Sequence, residues 1–537
     1  MFYEIGANRA GPENFGWKWP GRRDRSYRKT RRMLESAVLT QDAPRPKESA
    51  ARVEHFDVVI VGAGLSGIGA ACWLRAKCPA KSFVILEARH AIGGTWDLFR
   101  YPGVRSDSDM PTFGFRFRAW DDKRAIADGP LILRYLRETA QEYGVDRLIR
   151  FGCEVLRASW RSDEARWILE VRGPDSATSE IGADFLYACA GYYEYESGYM
   201  PGWPGMERFA GRIVHPQNWP EDLDYDGKRV VVIGSGATAV TLVPAMAERA
   251  AHVVMVQRSP TYVISRPADD AIAERLRRWL PAGPTHALVR WKNILRQMHL
   301  YRLCRRKPAA VREALIKLAQ KEVGPGVDAA VHFAPRYNPW DQRMCLVPDG
   351  DLFAAMRAGR ASVVTDEIET FTEKGLRLRS GREFEADIIV TATGLRMRLM
   401  GGMAVDVDGE AVDFAKRTTY KGMMFSDVPN LASAMGYINA SWTLKADLIA
   451  DSVCRLLNHM DRKGYDVCTP RMRGGSTSDD AFFPLESGYA LRARPLMPKQ
   501  GAKKPWRINN NYALDLLAFR FGAVDDGEME FERRAAS

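Results

Sequence analysis

The chain has 537 residues, 46% apolar and 27% charged, with 78 Lys and Arg against 67 Asp and Glu and a net charge of +11. That length exceeds what one hydrophobic core serves and implies two or three domains. Eight scattered cysteines with no C-x-x-C pair argue against a disulfide framework, a zinc site or a thiol relay, and no metal is expected. The positive charge fits nucleic acid, an anionic membrane or a polyanionic cofactor and by itself selects none of them.

Residues 1–51 are rich in Gly, Pro and basic side chains, among them Arg22, Arg23, Arg25, Arg28 and Lys29, and they lack the apolar run of a secretory signal. We expect a disordered basic extension, or a start placed too far upstream, rather than a nucleic-acid arm, since no aromatic-basic module follows. The longest uncharged apolar-looking stretch, Val58 to Leu74, is short for a membrane span and is broken by Gly62, Gly64, Gly67 and Gly69. A cytoplasmic, soluble chain is the expectation.

Asp57-Val-Val-Ile-Val61 is a β-rich run that leads into Gly62-Ala-Gly64-Leu-Ser66-Gly67 and then a helical pattern. This is the layout of a Rossmann βαβ start. A second strand, Phe83 to Leu86, ends at Glu87, twenty residues past Gly67, where a carboxylate accepts hydrogen bonds from ribose hydroxyls. The pattern recurs at Arg229-Val-Val-Val-Ile233, Gly234-Ser-Gly236-Ala-Thr-Ala239, a helix to Glu248 and a strand Val253 to Gln257. Here the strand ends in Arg258-Ser259, a cation and a hydroxyl that suit a 2'-phosphate. An acid at the first site and a base at the second imply FAD first and NADPH second, with electrons passing from NADPH to flavin. The fold class is therefore α/β, with two Rossmann-like dinucleotide-binding domains, for FAD and NADPH, and a helical insertion.

The insertion is residues 268–330, helical and basic. Leu288, Trp291, Leu295, Met298 and Tyr301 fall near one helical face, with Arg290, Lys292, Arg296, Arg302, Arg305, Arg306 and Lys307 around it. That face suits core packing, a substrate channel or a membrane surface. Leu376 begins a hairpin pattern, and Asp387-Ile-Ile-Val-Thr-Ala-Thr393-Gly394 reads as a buried strand and a tight turn that returns the chain to the first domain.

Two longer motifs carry a family resemblance. Phe209-Ala-Gly211-Arg-Ile-Val-His215-Pro-Gln-Asn-Trp219-Pro220 fits F-x-G-x-x-x-H-x-x-x-W-P, and Gly93 to Asp107 fits G-G-x-W-x-x-x-x-Y-P-G-x-x-x-D. From about Phe56 onward the chain resembles the type I Baeyer-Villiger monooxygenases, and in detail their ethionamide-activating branch. The implied plan is a FAD-binding domain in two parts, 52–208 and 385–537, a fingerprint linker at 209–220, and an NADPH-binding domain at 221–384 that holds the insertion.

The resemblance implies that Gly62, Gly64, Ser66, Gly67, Glu87, Thr95, Trp96, Asp97, Leu98 and Asp107 line the FAD, with the Val155 backbone near the adenine. It implies NADPH contacts from Arg105, Ser106 and Asp107, from Gly234, Ser235, Gly236, Ala237, Thr238, Ala239 and Val240, and from Arg258 and Ser259. Tyr337-Asn-Pro-Trp-Asp-Gln-Arg343 resembles the family's arginine loop, which makes Arg343 the catalytic cation, with Asp107 as its partner. His215 and Trp219 would couple the domains rather than make bonds. Many ketone-oxidising relatives carry Lys before that Arg; this chain has Gln342.

The function implied is an NADPH- and O2-dependent flavoprotein that turns ketones into esters or lactones through a C4a-peroxyflavin, and that also oxidises sulfides or thioamides. The expected partners are a small ketone or sulfur substrate and O2, without nucleic acid, with peripheral membrane contact in view and the oligomeric state open. The rivals are a monooxygenase confined to nitrogen or sulfur and, from another class, a non-catalytic basic adaptor for membrane or nucleic acid.

Overall fold

The computed structural model describes residues 53–534, so the basic extension expected at 1–51 lies outside the described residues. The chain opens with β1 (Glu54–Val61), whose Val58, Val59 and Ile60 are wholly buried. It turns into α1 (Leu65–Lys77), in which every residue from Leu65 to Leu74 is buried. A helix apolar on all sides must be packed on all sides, and α1 lies between the sheet and later helices. β2 (Phe83–Glu87) pairs in parallel with β1, and β3 (Ile149–Phe151) with β2. β4 (Glu154–Arg161), β5 (Arg166–Arg172) and β6 (Thr178–Ala188) follow as an antiparallel meander. β6 continues past that meander and runs parallel to β1 over its whole length.

The second sheet takes β7 (Arg212–Val214) and β8 (Arg229–Ile233), then α2 (Ala237–Met246) and β9 (His252–Gln257). After the insertion, with α3 (Ala271–Arg277), α4 (Ala282–Arg306) and α5 (Pro308–Val323), it gains β10 (Ala361–Thr365) and β11 (Ile388–Thr391). The spatial order is β10-β9-β8-β11-β7, all parallel. The chain then returns to the first sheet: β12 (Ala404–Val407) joins β4, and β13 (Leu431–Ser433) joins β6, both in parallel. α6 (Trp442–Lys463) packs on α1, and α7 (Tyr512–Phe521) on α6.

Two boundaries expected from sequence shift by one strand. β7 was assigned to the linker 209–220 and β11 to the returning segment 385–537, yet both pair within the second sheet. The reason is that β11 is buried at all four positions, and a short apolar run of that kind fits the middle of any parallel sheet. Its partners lie far away in sequence, at Arg212–Val214 and Arg229–Ile233.

The insertion is helical as expected, but its buried seam differs from the predicted face. Thr285, Val289, Arg290, Ile294 and Cys304 are the buried positions of α4, whereas Leu288, Trp291 and Leu295 are exposed. Met298 and Tyr301 are half-buried, Met298 against the apolar cluster that surrounds α1 and Tyr301 edge-on to Trp340. What turns the helix is Arg290, whose Nη1 donates to the carbonyls of Pro111 and Gly114 at 2.8 and 2.7 Å. Its Nη2 lies 3.7 Å from Asp447 Oδ2 on α6, with both side chains nearly inaccessible.

Asp447 also accepts from the Trp73 indole at 3.1 Å and from the Arg116 amide at 2.8 Å. Burial pushes its carboxyl above the ordinary value, while Arg290, the Arg116 amide and the Trp73 indole pull it down. One carboxylate therefore ties α1, α4 and α6 together. Asp447→Ala leaves Arg290 buried without its counter-charge and should lower the unfolding free energy by roughly 3–5 kcal/mol. A denaturant titration that shows the variant as stable as the parent would contradict this anchor.

Candidate active site

Both glycine turns end in helices that lack a side-chain cap. α1 starts after Gly64 and α2 after Gly236, and neither N-cap residue offers an acceptor to the first turn. The leading N–H groups are left for a ligand, and the helix dipole favours an anion there. At the first turn Gly67 approaches so closely that a Cβ would sit 1.8 Å from the Gly62 carbonyl oxygen. Gly67 does not line the cavity; it closes the turn. The two turns open onto one cavity of about 1190 Å3.

On the first side of that cavity stand Gly62, Gly64, Ser66, Glu87, Thr95, Trp96 and Val155. Glu87 is pinned by its own turn, accepting from the Ala63 amide at 2.6 Å and the Arg89 amide at 2.9 Å. Burial raises its carboxyl, and these two amides pull it back. Thr95 Oγ1 lies 3.3 Å from the Tyr195 hydroxyl. Asp97 and Leu98, expected beside the cofactor, do not line the cavity. Asp97 is buried and turned toward Arg89, whose Nη2 donates to it at 2.6 Å. Arg89 itself lines the cavity, so Asp97 stands behind the wall and holds that arginine.

On the second side stand Gly234, Ser235, Gly236, Ala237, Thr238 and Val240, with Arg258 and Ser259 at the end of β9. Ala239 is wholly buried inside the domain and does not reach the cavity, because the helix has already turned it inward. Arg258 is exposed and makes no ion pair among the described residues. Arg105, Ser106 and Asp107 line the same space. Arg105 is ion-paired to Asp351, and the Ser106 hydroxyl donates to the Ser108 carbonyl at 2.9 Å. Tyr101 is buried and hydrogen-bonded to Thr238, so the 93–107 motif rests on the second glycine turn.

Arg343 sits where the two sides meet. Its Nη1 is 3.6 Å from Asp107 Oδ2, and its Nε is buried without a protein partner among the described residues. The preceding loop is held from several directions. Asp341 takes Arg305 of α4 at 2.6 Å, Tyr262 donates to the Tyr337 carbonyl at 2.7 Å, and Trp340 adopts a left-handed φ of 71°. A bulky residue in that region is strained, and it persists only where packing enforces it. Trp340 packs with Tyr262 and Cys304.

Four aromatic residues at this point were not singled out from sequence as site residues. Tyr192 and Tyr193, with hydroxyls 3.1 Å apart, and Tyr489 face Arg343 across the cavity. Burial raises the Tyr192 phenol, against the pull of Arg343, and raises Tyr193 well above its ordinary value. Trp442, read as packing, donates its indole N–H to Ser66 Oγ at 2.9 Å and lies 5.0 Å from the Tyr192 ring. The turn at Gly191 after the buried end of β6 was the sequence signal available for Tyr192 and Tyr193.

The fingerprint segment is tied to the turn that follows β11. His215 Nδ1 accepts from the Gln217 amide at 3.2 Å, which leaves Nε2–H to donate to the Gly394 carbonyl at 3.2 Å. Gly198 approaches the ring so closely that a Cβ would sit 1.8 Å from it. Trp219 packs on the second core.

Residues 109–280 match the family described as flavin-binding monooxygenase-like, and residues 60–122 one described as an NAD(P)-binding Rossmann-like domain. The FAD-containing monooxygenase EthA of Mycobacterium tuberculosis is 53% identical over 484 residues, 90% of this chain and 99% of that protein. The chain belongs to the EthA branch of the type I Baeyer-Villiger monooxygenases. EthA of Mycolicibacterium smegmatis is 52% identical over 485 residues, again 90% of this chain and 98% of that one. A solved structure described as an oxidized steroid monooxygenase bound to NADP shares the fold, with a TM-score of 0.71 at 22% identity over 89% of this chain and 100% of that one. FAD and NADPH are the cofactors of this family member, and two uncapped helix starts on one cavity fit two dinucleotides.

Two outcomes test this geometry. Arg258→Ala should raise KM for NADPH about tenfold or more while leaving KM for NADH unchanged, because only the 2'-phosphate loses a charged partner. Equal effects on both nucleotides would refute that role. Burial holds His215 below its ordinary value of 6.5, although its bond to Gly394 acts the other way. The unfolded chain then takes up a proton as pH falls through about 6.5 while the folded ring resists it, so the fold loses stability below that value. Between about pH 7.5 and about 5.5 the parent Tm should therefore drop further than that of His215→Gln.

Proposed function

We propose that this monooxygenase inserts one oxygen atom beside the carbonyl of a ketone, giving an ester or lactone, and oxidises sulfides or thioamides at the same site. The observation that carries the reading is Arg343, paired with Asp107 at the meeting of the two glycine turns. Bound flavin, once reduced by NADPH, supplies the oxygen-activating chemistry. The chain supplies position and charge. Gly62, Gly64, Ser66, Glu87, Thr95, Trp96 and Val155 hold the FAD side, while Gly234 to Thr238, Val240, Arg258, Ser259, Arg105 and Ser106 hold NADPH. Gly67, Asp97, Leu98 and Ala239 shape those walls from behind.

Arg343 presents a permanent positive charge where an oxyanion develops on the substrate, and a cation already fixed in place stabilises that charge without reorganising. Asp107 keeps the guanidinium from swinging into solvent. The strained Trp340 and the Arg305–Asp341 pair fix the loop from the other side. Tyr192 and Tyr193, kept protonated by burial, offer neutral hydroxyls that can donate hydrogen bonds into the site. The site is read as cytosolic; among the described residues no helix is long and apolar enough to cross a membrane.

Arg343→Ala should keep its flavin absorbance and lose ester formation by at least about a hundredfold. The assay follows NADPH consumption with linear, cyclic and aryl ketones and a sulfide, with products identified by mass. A fully active Arg343→Ala enzyme would sink the assignment, and sulfoxide as the sole product of the parent would restrict the function to sulfur oxidation.

A further inference from the structure

Most of the large apolar side chains that the described residues leave exposed lie on α3, α4 and α7 and at the corner between α3 and α4. Trp279, at that corner, is 83% exposed, and Leu288, Trp291 and Leu295 follow along the outer face of α4. On α7, Leu514, Leu517 and Phe521 face out, Phe521 at 72%. The helices adjoin: Lys292 of α4 pairs with Asp270, the N-cap of α3, and Trp291 meets Tyr512, the first residue of α7, with ring centroids 5.8 Å apart. Scattered apolar side chains on a surface need no explanation, but a set gathered on adjoining helices does.

The charges say what covers it. The 25 residues of α4 contain no Asp or Glu. Arg290 is spent inward on Asp447, but Arg296, Arg302 and Arg306 are exposed and form no ion pair among the described residues. Arg275 and Arg278 flank Trp279, also exposed. The acid of α7, Asp515, is buried against Lys445. A second copy meeting this face across a two-fold axis would set arginine against arginine. Phosphate backbones match the arginines but leave the aliphatic side chains uncovered.

We propose that this face docks on a membrane surface of anionic lipid, with Trp279, Trp291 and Phe521 inserted at the headgroup level and the arginines of α3 and α4 on the phosphates. Tryptophan at the interface and arginine in the headgroup layer is the pattern of a helix lying in the membrane plane rather than crossing it. The inference stands apart from the oxygenation chemistry, since none of these residues lines the cavity.

The test is co-sedimentation of the FAD-loaded full chain with phosphatidylcholine vesicles containing phosphatidylglycerol, against vesicles of phosphatidylcholine alone. The parent should bind the anionic vesicles, bind the neutral ones weakly and release with salt. Trp279→Ser, Trp291→Ser and Phe521→Ser combined, and separately Arg296→Gln, Arg302→Gln and Arg306→Gln combined, should each lose about tenfold in binding. Flavin content and vesicle-free NADPH oxidation should stay unchanged in both. Equal binding to both vesicle types, or undiminished binding by the aromatic triple variant, would overturn the proposal, the latter assigning attachment to residues 1–52. A parent dimer that the aromatic substitutions dissociate would overturn it in favour of a second copy.

Discussion

Two helices of this chain begin on glycine with no side chain to satisfy their first N–H groups, and both beginnings face one cavity. Everything around the site follows from that arrangement. The cavity has to be wide enough for two polyanions, so the sheets cannot pack flat against each other, and the contacts that join them sit around its rim. Tyr101 against Thr238 and Arg343 against Asp107 are of this kind. Each joins residues far apart in sequence through one or two polar contacts. Such a rim yields to small displacements more readily than a broad apolar interface does.

The strand, glycine turn, helix and acid of the first domain were legible because they are local: each is written within a few tens of residues. The same holds for Arg258, which stands where the strand periodicity puts it. Long motifs placed Arg343 and Asp107 together although 236 positions separate them. What the sequence left unread was mostly non-local. β11 has four buried residues, three of them apolar, that suit either sheet, and only pairing with β7 and β8 decides. Asp97 carries the right chemistry for a cofactor but is buried behind Arg89, which lines the groove in its place.

The insertion helix failed for a different reason. Apolar residues are spread around α4, so periodicity alone gives no strong preference for one face. A buried cation then settled the rotation, drawn to Asp447 and to carbonyls at the end of a short helix. A sequence reading treats arginine as surface. Here the inward arginine sets which apolar residues point out, and it leaves tryptophan in the solvent. Trp442 shows the converse, a residue taken for packing whose indole N–H is committed to a hydroxyl on the first glycine turn.

The shared strand β6 bears on how the chain is made. Its first half pairs with β5, next to it in sequence, but its second half waits for β13, more than 240 residues later. On a ribosome the first sheet is left with an open edge while the whole second sheet is synthesised. That edge is the wall on which Cys189, Ala190 and Gly191 border the groove. The nascent chain must shield unpaired strand for as long as those residues take to emerge, and the first dinucleotide has a finished seat only near the end of translation.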